Sequence, residues 1–446
     1  MWKLQTLLYS FLIPKEFSIL IGALSLSPYR ILLILFTPWI IKQIVVKHRF
    51  KWRPLDTFAL FVCIWPAVAL TFNTDFYTAI ESGGIIFLET FVPFFLARLT
   101  VYNHQRLIKI SKTLLIVASS MAVVALPEAI TGTPYAHNIA SWLTGGSFTH
   151  TPESRLGIWR AMGTSDHPII LGSICAAALP LGFALFRRGT VFISMTGLSF
   201  LGVIASVSSG PILSIVAQLS LYVWSVFTRG VKSKWWKLIL LIASLYILID
   251  IASNRDPFRV MFSYLLFNEH NGYVRYSMWA NSLFLAGQSI QSFMVGYGFS
   301  TDMMSLLDNA FWTQLMTVTV DSYWMVILLR YGAPILLLHA LLITLVLRAS
   351  LKNHKHNKSK SERPLIQAWF FTATCLSLVA CTVHFWGPTV SIFFIVLGVC
   401  SMGTSQRSAR KKKTLRTKPN AKLFFGNPRR PLHSNTIKTE QKKITK

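Results

Sequence analysis

Residues 167–186 read HPIILGSICAAALPLGFALF and contain no lysine, arginine or acidic residue. A helix needs about 20 apolar residues to cross the hydrocarbon core of a bilayer. The sequence therefore predicts an all-α polytopic integral membrane protein of about 12 transmembrane helices. The other apolar runs lie near residues 4–25, 28–46, 55–72, 78–97, 113–131, 190–207, 210–228, 236–252, 322–347, 365–384 and 388–403.

The composition excludes other classes of protein. Hydrophobic residues make up 53% and charged residues 13% of the 446 residues, against about 25% charged residues in soluble proteins. The net charge of +28 is spread in short clusters between apolar runs, so no nucleic-acid partner is expected. The cysteines form no CxxC pair and indicate neither a disulfide framework nor a metal site. They are Cys63, Cys175, Cys375, Cys381 and Cys400.

The basic residues predict an orientation, because cytoplasmic loops are enriched in Lys and Arg. Alternate loops carry most of them, and this pattern places both termini in the cytoplasm. These loops are 47–53, 98–112, 187–188, 229–237 and 348–363. The opposite set holds arginines alone, namely Arg155, Arg160, Arg255, Arg259 and Arg275.

The chain divides into a transmembrane region over 1–403 and a basic tail over 404–446. Fourteen of the 44 Lys and Arg residues fall from Arg407 onwards, and we expect this tail to be disordered.

Two outer loops are long enough to carry function, about 132–166 and about 253–321. The second separates predicted helices 9 and 10 and is expected to be helical. Phe258–Phe267 could lie along the membrane interface, and Tyr273–Ile290 has helical spacing.

Arg160 is a candidate phosphate ligand, because one guanidinium group can donate two parallel hydrogen bonds to the oxygens of a phosphate. It precedes His167 and Pro168, which begin an apolar run, and helix N-termini attract anions. Two simpler interpretations stay open: a helix start capped by Asp166 or Ser165, and contact of the outer arginines with lipid headgroups.

Arg275 and Asp321 are the other candidate catalytic residues. Arg275 and Trp279 are four residues apart, so they share a helical face and could form a cation–π contact or a structural clasp. Asp321 stands where an apolar run begins and is either a helix N-cap or a general base. Arg330 needs another acid or a water-filled cavity. Weaker acidic candidates are Glu81, Glu89, Glu128 and Asp250.

Several motifs are absent from the chain. It has no Asp-x-Asp, GxxxxGK[ST], HExxH or GxSxG, so metal-dependent nucleotide-sugar transfer, P-loop hydrolysis, zinc proteolysis and serine-hydrolase chemistry have no support.

A series of short motifs occurs in a fixed order between about residues 150 and 345. They are Arg160-x-x-Gly163 with His167-Pro168, Ser208-Ser209-Gly210-Pro211, Arg275-x-x-x-Trp279, Val295-Gly296-Tyr297-Gly298-Phe299, Asp321-Ser322-Tyr323-Trp324 and Arg330-Tyr331-Gly332. In this order the chain resembles the O-antigen ligase and O-antigen polymerase superfamily of bacterial membrane glycosyltransferases.

The resemblance implies an enzyme of the bacterial inner membrane that transfers an undecaprenyl-pyrophosphate-linked glycan to a glycan or lipid acceptor, with inversion and without metal, nucleotide or cofactor. Arginines would stabilise the departing pyrophosphate, and Asp321 would take the proton of the acceptor hydroxyl. Arg160 and Arg275 would be catalytic with Asp321. The substrate-binding residues would be Arg155, His167, Arg259, Tyr323 and Trp279.

Two departures from the family pattern matter. Ligases carry a His-Asn-like pair where this chain has Asp321-Ser322, which favours a polymerase of O-antigen or exopolysaccharide repeats over a ligase acting on a lipid A-core acceptor (lipopolysaccharide assembly). Many members carry an arginine where Ser209 stands, so Arg155 or Arg259 would substitute.

Two other classes of function stay open. A polysaccharide transporter or lipid flippase would need ionisable groups near the bilayer centre. A scaffold would act through other polysaccharide-assembly proteins. The basic tail could bind anionic membrane lipids or a cytosolic partner, or simply reinforce the topology.

Overall fold

A computed structural model gives the arrangement of the helices up to residue 402. The described residues are 1–21, 24–46, 50–148, 152–186, 189–252, 256–257, 259–260, 269–307, 310–318, 320–356 and 362–402. Arg255, most of Phe258–Phe267 and the basic tail from 404 lie outside them.

The described part of the chain is almost entirely α-helical. The first nine helices are α1 (Trp2–Tyr9), α2 (Pro28–Ile41), α3 (Pro54–Leu70), α4 (Phe76–Thr100), α5 (His104–Thr131), α6 (Tyr135–Thr144), α7 (Pro168–Leu185), α8 (Val191–Ser206) and α9 (Ser209–Phe227). The next are α10 (Lys234–Ala252), α11 (Glu269–Ala286), α12 (Ile290–Val295), α13 (Ala310–Val318), α14 (Tyr323–Tyr331), α15 (Ala333–His356), α16 (Arg363–Val379) and α17 (Pro388–Cys400).

Two small antiparallel hairpins interrupt the helices. Strands β1 (Ile19–Ile21) and β2 (Leu24–Leu26) pair near the N-terminus, and β3 (Ser154–Arg155) pairs with β4 (Ile158–Trp159). Short 3-10 turns occupy Ser10–Leu12, Lys15–Phe17 and Asp302–Leu306, and a π-helical turn occupies Lys42–Val46.

Seven helices in the described ranges are long and apolar enough to cross a membrane. They are Pro28–Val46, Phe76–Thr100, His104–Thr131, Pro168–Leu185, Ser209–Phe227, Lys234–Ala252 and Ala333–Lys355. Three further predicted runs form shorter apolar helices, at Pro54–Leu70, Val191–Ser206 and Pro388–Cys400. Seven spans of full length therefore stand where the sequence predicted about twelve.

The first apolar run, over 4–25, is interrupted in the sequence by Pro14, Lys15 and Glu16 and does not form a single helix. Helix α1 ends at Tyr9, two 3-10 turns follow, and the chain then enters the β1–β2 hairpin. Gln5 nevertheless bonds Thr113 in the first half of α5 (Nε2 to Oγ1 3.1 Å), and Glu16 lies 2.9 Å from His137 in α6. The segment thus runs along α5 as a broken helix, because Pro14 cannot continue the backbone ladder.

The run over 322–347 is also two helices, α14 and α15, separated at Gly332. Gly332 has φ +79°, and a Cβ there would lie 2.3 Å from the carbonyl oxygen of Met294. Gly296 has φ +72°, and a Cβ on it would lie 2.5 Å from the carbonyl carbon of Arg330. Since no side chain fits at either position, the two glycine motifs pack backbone against backbone.

Long-range hydrogen bonds join the ends of helices that are distant in the chain. Arg53 donates to the Ser401 carbonyl (3.2 Å) and Gln367 to the Ser225 hydroxyl (2.7 Å), which links connections at one end of the bundle. At the other end, the Trp279 indole donates to the Cys381 carbonyl (3.0 Å). At the centre of the core, α7 packs against α5, α8 and α16, and α4 packs against α17.

The two long loops carry structure of their own. The segment 132–166 contains α6 and the β3–β4 hairpin, and the described part of 253–321 contains α11, α12 and α13. The helix predicted for Tyr273–Ile290 is confirmed over most of its length by α11.

Candidate functional site

A β-hairpin places Arg155 and Arg160 at the end of the bundle that holds the long loops. Arg155 pairs with Ile158 across a turn in which Leu156 (φ 54°) and Gly157 (φ 78°) have positive φ, as two-residue hairpin turns require. Arg160 follows β4, and its backbone N–H donates to the Glu153 carbonyl at 2.9 Å. The hairpin therefore brings two guanidinium groups and one carboxylate together.

The Arg160 side chain is buried and held on two sides. Its Nη1 bonds the carboxylate of Glu153, and its Nη2 donates to the hydroxyl of Ser208 at 3.4 Å. Its Nε is buried and has no hydrogen-bond partner among the described residues. A buried donor without a partner costs about 1–3 kcal/mol, so this guanidinium retains an unmet demand for an acceptor.

Glu128 holds the loop that follows Arg160. One of its oxygens accepts from the Met162 N–H (3.0 Å) and the other from the Gly163 N–H (2.8 Å). Gly163 has φ +63°, and a Cβ on it would lie 2.9 Å from the Met121 carbonyl oxygen. Glu128 is thus a positioning residue for Arg160. The loop that it holds requires a glycine at position 163, which explains the spacing of the motif Arg160-x-x-Gly163.

Arg275 approaches the same place from helix α11. Its Nη1 donates to the Ser209 hydroxyl at 3.1 Å, and its Nη2 lies 3.9 Å from Oδ2 of Asp321. The Arg275 side chain is 14% exposed and that of Asp321 is 44% exposed. Because Ser208 contacts Arg160 and Ser209 contacts Arg275, the start of α9 holds both arginines.

The charges of these residues act on one another. Burial lowers the pKa of Arg155, as does the charge of Arg160, while Glu153 and Asp321 raise it. Burial also lowers the pKa of Arg275, which Asp321 raises and Arg155 lowers. We name a set of five residues the guanidinium cluster: Arg155, Arg160, Arg275, Glu153 and Asp321. Three positive and two negative groups leave it one positive charge in excess, which suits an anionic ligand.

The helix caps near the cluster differ from those considered from the sequence. His167, and neither Asp166 nor Ser165, caps α7: its Nδ1 accepts from the Ile169 N–H at 3.1 Å. Ser322, and not Asp321, caps α14, with its hydroxyl accepting from the Met325 N–H. The structure therefore does not use the Asp321 carboxylate as a helix cap.

A cavity of about 290 Å³, which we name the Asp321 cavity, opens beside the cluster. Asp321 lines it together with His167, Arg330, His384 and Trp386. The ring of Trp386 packs against both histidines, with centroids 5.4 Å from His167 and 5.6 Å from His384. Asp321 thus lines a partly open cavity together with Arg330, two histidines and Trp386.

A second cavity of about 250 Å³, the Glu89 cavity, lies next to it and shares several lining residues. The shared residues are Phe299, Val326, Arg330, His384 and Trp386. Arg330 therefore lines a cavity, one of the two environments expected for an arginine within an apolar run. Its guanidinium carbon lies 5.0 Å from the centre of the Phe299 ring.

Three predicted substrate-binding residues lie in other parts of the structure. Tyr323 lines the Glu89 cavity, with its hydroxyl 3.3 Å from Nε2 of His339. Trp279 ties α11 to the connection before α17 through Cys381. Arg259 is exposed and lies over the ring of Tyr273 on α11, 5.3 Å from its centre.

Sequence reasoning did not assign four residues of this region. Glu153 and Ser208 contact Arg160, Ser209 contacts Arg275, and His384 lines both cavities. The serines stand in a motif that was quoted without a role. The one local signal for Glu153 was a carboxylate seven residues before Arg160 in the same outer loop.

Metal binding has no support in the described ranges, where no group of three His, Cys, Asp or Glu side chains could hold an ion. A scan against protein-family models finds no match to the chain. A search of curated proteins also finds no match.

Proposed function

We propose that the chain is a metal-independent, inverting membrane glycosyltransferase that polymerises undecaprenyl-pyrophosphate-linked glycan repeats in O-antigen or exopolysaccharide assembly. The observation that carries the proposal is Arg275, which bonds Ser209 and faces Asp321 beside Arg155 and Arg160. A cluster of arginines next to a carboxylate that lines a cavity fits a phosphate leaving group and a proton acceptor.

The guanidinium cluster would bind the pyrophosphate of the donor lipid. As the bond between the anomeric carbon and the phosphate oxygen breaks, the electron pair stays on the pyrophosphate, and the arginines stabilise its negative charge. Helix α9 adds support, because Ser208 makes no capping hydrogen bond and leaves the first N–H groups of the helix to an anion.

Asp321 would act as the general base. The acceptor hydroxyl oxygen forms the new bond to the anomeric carbon, and its proton passes to the Asp321 carboxylate, so charge and atoms balance without another reactant. Attack from the face opposite the pyrophosphate inverts the anomeric centre. His167 and Trp386, on the wall of the Asp321 cavity, would position the sugar.

About twelve membrane crossings would result if the three shorter apolar helices, helix α16 and the broken segment 1–17 are added to the seven full-length spans. The proposal places the guanidinium cluster on the periplasmic face of the bacterial inner membrane and both termini in the cytoplasm. Ser154→Cys and Ser233→Cys test this orientation, since they stand at opposite ends of the bundle. A membrane-impermeant maleimide should label the first in intact cells and the second only after permeabilisation; the reverse pattern contradicts the orientation.

Purified protein supplied with a lipid-linked repeat tests the reaction. A ladder of products without an added acceptor indicates a polymerase. Transfer that requires a lipid A-core acceptor indicates the ligase alternative, which shares the donor. No product with either acceptor contradicts the proposal.

A transporter or flippase is the second candidate, because Glu89, Arg30 and Arg330 line a cavity among the membrane helices. Transport of lipid-linked glycan in vesicles that survives Asp321→Asn and Arg275→Ala would favour it. Loss of glycan product in the same variants favours the enzyme.

A further inference from the structure

The Glu89 cavity contains polar groups that the proposed reaction does not use. Oε1 of Glu89 accepts from the Tyr29 hydroxyl (2.6 Å) and from Nε of Arg30 (2.9 Å). Both of these hydrogen bonds go to Oε1, and Oε2 makes none with the side chains of Tyr29 or Arg30. The carboxylate is therefore fixed by one oxygen and presents the other as an acceptor.

Arg330 is the second polar group of the Glu89 cavity that the proposed reaction does not use. No carboxylate in the described ranges lies within ion-pair distance of its guanidinium. Burial, with the charge of Arg330, lowers the pKa of His384 to about 4, so this neighbouring ring is neutral at neutral pH. The guanidinium thus faces the cavity without a permanent counter-ion.

His339 adds no charge to the cavity. Its Nδ1 donates to the Ile335 carbonyl at 2.9 Å, and its Nε2 accepts from the Tyr323 hydroxyl. This pairing satisfies a neutral ring. Arg30 and Arg330 against Glu89 leave one positive charge in excess among these partly buried groups, which favours an anionic ligand.

Aromatic rings form much of the remaining wall. Phe299, Tyr323, Tyr331, Phe385 and Trp386 all line the Glu89 cavity. A largely apolar wall with a few fixed polar groups is typical of small-molecule sites, and sugar rings combine apolar C–H faces with hydroxyl groups. The lining therefore fits a saccharide better than an inorganic anion.

We propose that the Glu89 cavity is the subsite for an acidic sugar of the acceptor, with the acidic group on Arg330 and a hydroxyl on Glu89. The proposal rests on the glycosyltransferase function. The arginines of the guanidinium cluster would hold the donor beside Asp321, and the Glu89 cavity adjoins the Asp321 cavity through Arg330. An acceptor held there would reach the anomeric carbon through the Asp321 cavity, and inversion requires that it attack from the side opposite the pyrophosphate.

Binding of two matched disaccharides tests the subsite without a donor. One ends in glucuronic acid and the other in glucose, and calorimetry in detergent measures both. The wild type should bind the uronate more tightly. Arg330→Gln should remove this preference with a loss of roughly 10- to 100-fold in affinity, the magnitude of one charge-assisted hydrogen bond. Glu89→Gln should weaken both ligands.

Glu81→Gln is the matched control, because Glu81 stands on the same helix outside both cavities and should leave both affinities unchanged. Arg330→Lys keeps the charge and should retain part of the preference, which separates loss of binding from loss of fold. Equal binding of the two sugars by the wild type, or a preference that survives Arg330→Gln, overturns the inference.

The reaction itself distinguishes this inference from the proposed function. If Arg330→Gln raises the KM for the lipid-linked donor and leaves that for the acceptor unchanged, Arg330 belongs to the pyrophosphate site and the subsite assignment fails, although the enzyme stands. If the wild type binds the uronate but forms no glycosidic bond, the glycosyltransferase proposal fails and the sugar site remains.

Discussion

Arg275 and Asp321 face each other at 3.9 Å, from Nη2 to Oδ2, between a helix of the long loop and the start of α14. The arginine is nearly buried, whereas the aspartate is 44% exposed. An ion pair of this length leaves the carboxylate room to accept a second hydrogen bond. In this geometry Arg275 can hold charge, and Asp321 can take a proton.

Removal of either Arg160 or Arg275 should abolish glycan transfer. Each guanidinium would stabilise charge that develops on the leaving pyrophosphate, and loss of one such group lowers kcat by about 10²–10³-fold. Arg160→Ala and Arg275→Ala should still insert into the membrane. Arg229→Ala, an exposed arginine at the opposite end of the bundle, is the control. Normal product from both site variants would refute the role of the cluster.

Asp321→Asn should reduce turnover by about 10²–10⁴-fold, the range for loss of a general base. Binding of the donor lipid should persist, because the arginines remain in place. Ser322→Ala serves as the structural control, since Ser322 caps α14 and its loss should lower stability by about 1 kcal/mol. Steady-state kinetics and thermal unfolding in detergent separate the two effects. Full turnover by Asp321→Asn excludes Asp321 as the base.

The pair of Glu153 and Arg160 should give a defined pH dependence. The hydrogen bond from Arg160 lowers the pKa of Glu153 below its ordinary value of 4.5, more than burial raises it. A carboxyl with a depressed pKa contributes stability that is present above pH 4.5 and is lost as the pH falls through the folded pKa.

Thermal unfolding of the wild type and Glu153→Gln measures this contribution between pH 3 and pH 8. The difference in Tm should be constant above about pH 5 and should close at lower pH. A difference that grows on acidification contradicts the assignment of the pair.

Gly332→Ala should destabilise the fold and disturb the packing at the break between α14 and α15. A Cβ there would lie 2.3 Å from the Met294 carbonyl oxygen at a φ of +79°, so alanine is strained both by its backbone and by its neighbour. Gly84→Ala is the matched control. Gly84 stands inside α4 with no atom within 4 Å of a Cβ, and alanine there should stabilise the helix by about 1 kcal/mol. Equal Tm values for the two variants would show that the break tolerates a side chain.

The pattern of apolar runs accounts for most of the fold. Apolar length is a local property, so α2, α4, α7, α9 and α10 follow the predicted runs closely, while α5 begins nine residues before its run. Local patterns also marked Arg160, Arg275 and Asp321. They failed at Gly332, where the chain leaves the helical conformation inside an apolar run.

By itself, the sequence determined that the chain is mostly apolar helix and that arginines dominate the long loops. The tertiary structure decided that Arg160 and Arg275 both bond the start of α9, and that Asp321 faces Arg275. It also decided that Glu128 accepts from two backbone N–H groups and that Arg330 lines a cavity. The physical reason is that helical periodicity and charge are properties of neighbouring residues. The partner of a buried charge, by contrast, is set by which helices pack together, and those helices are distant in the chain.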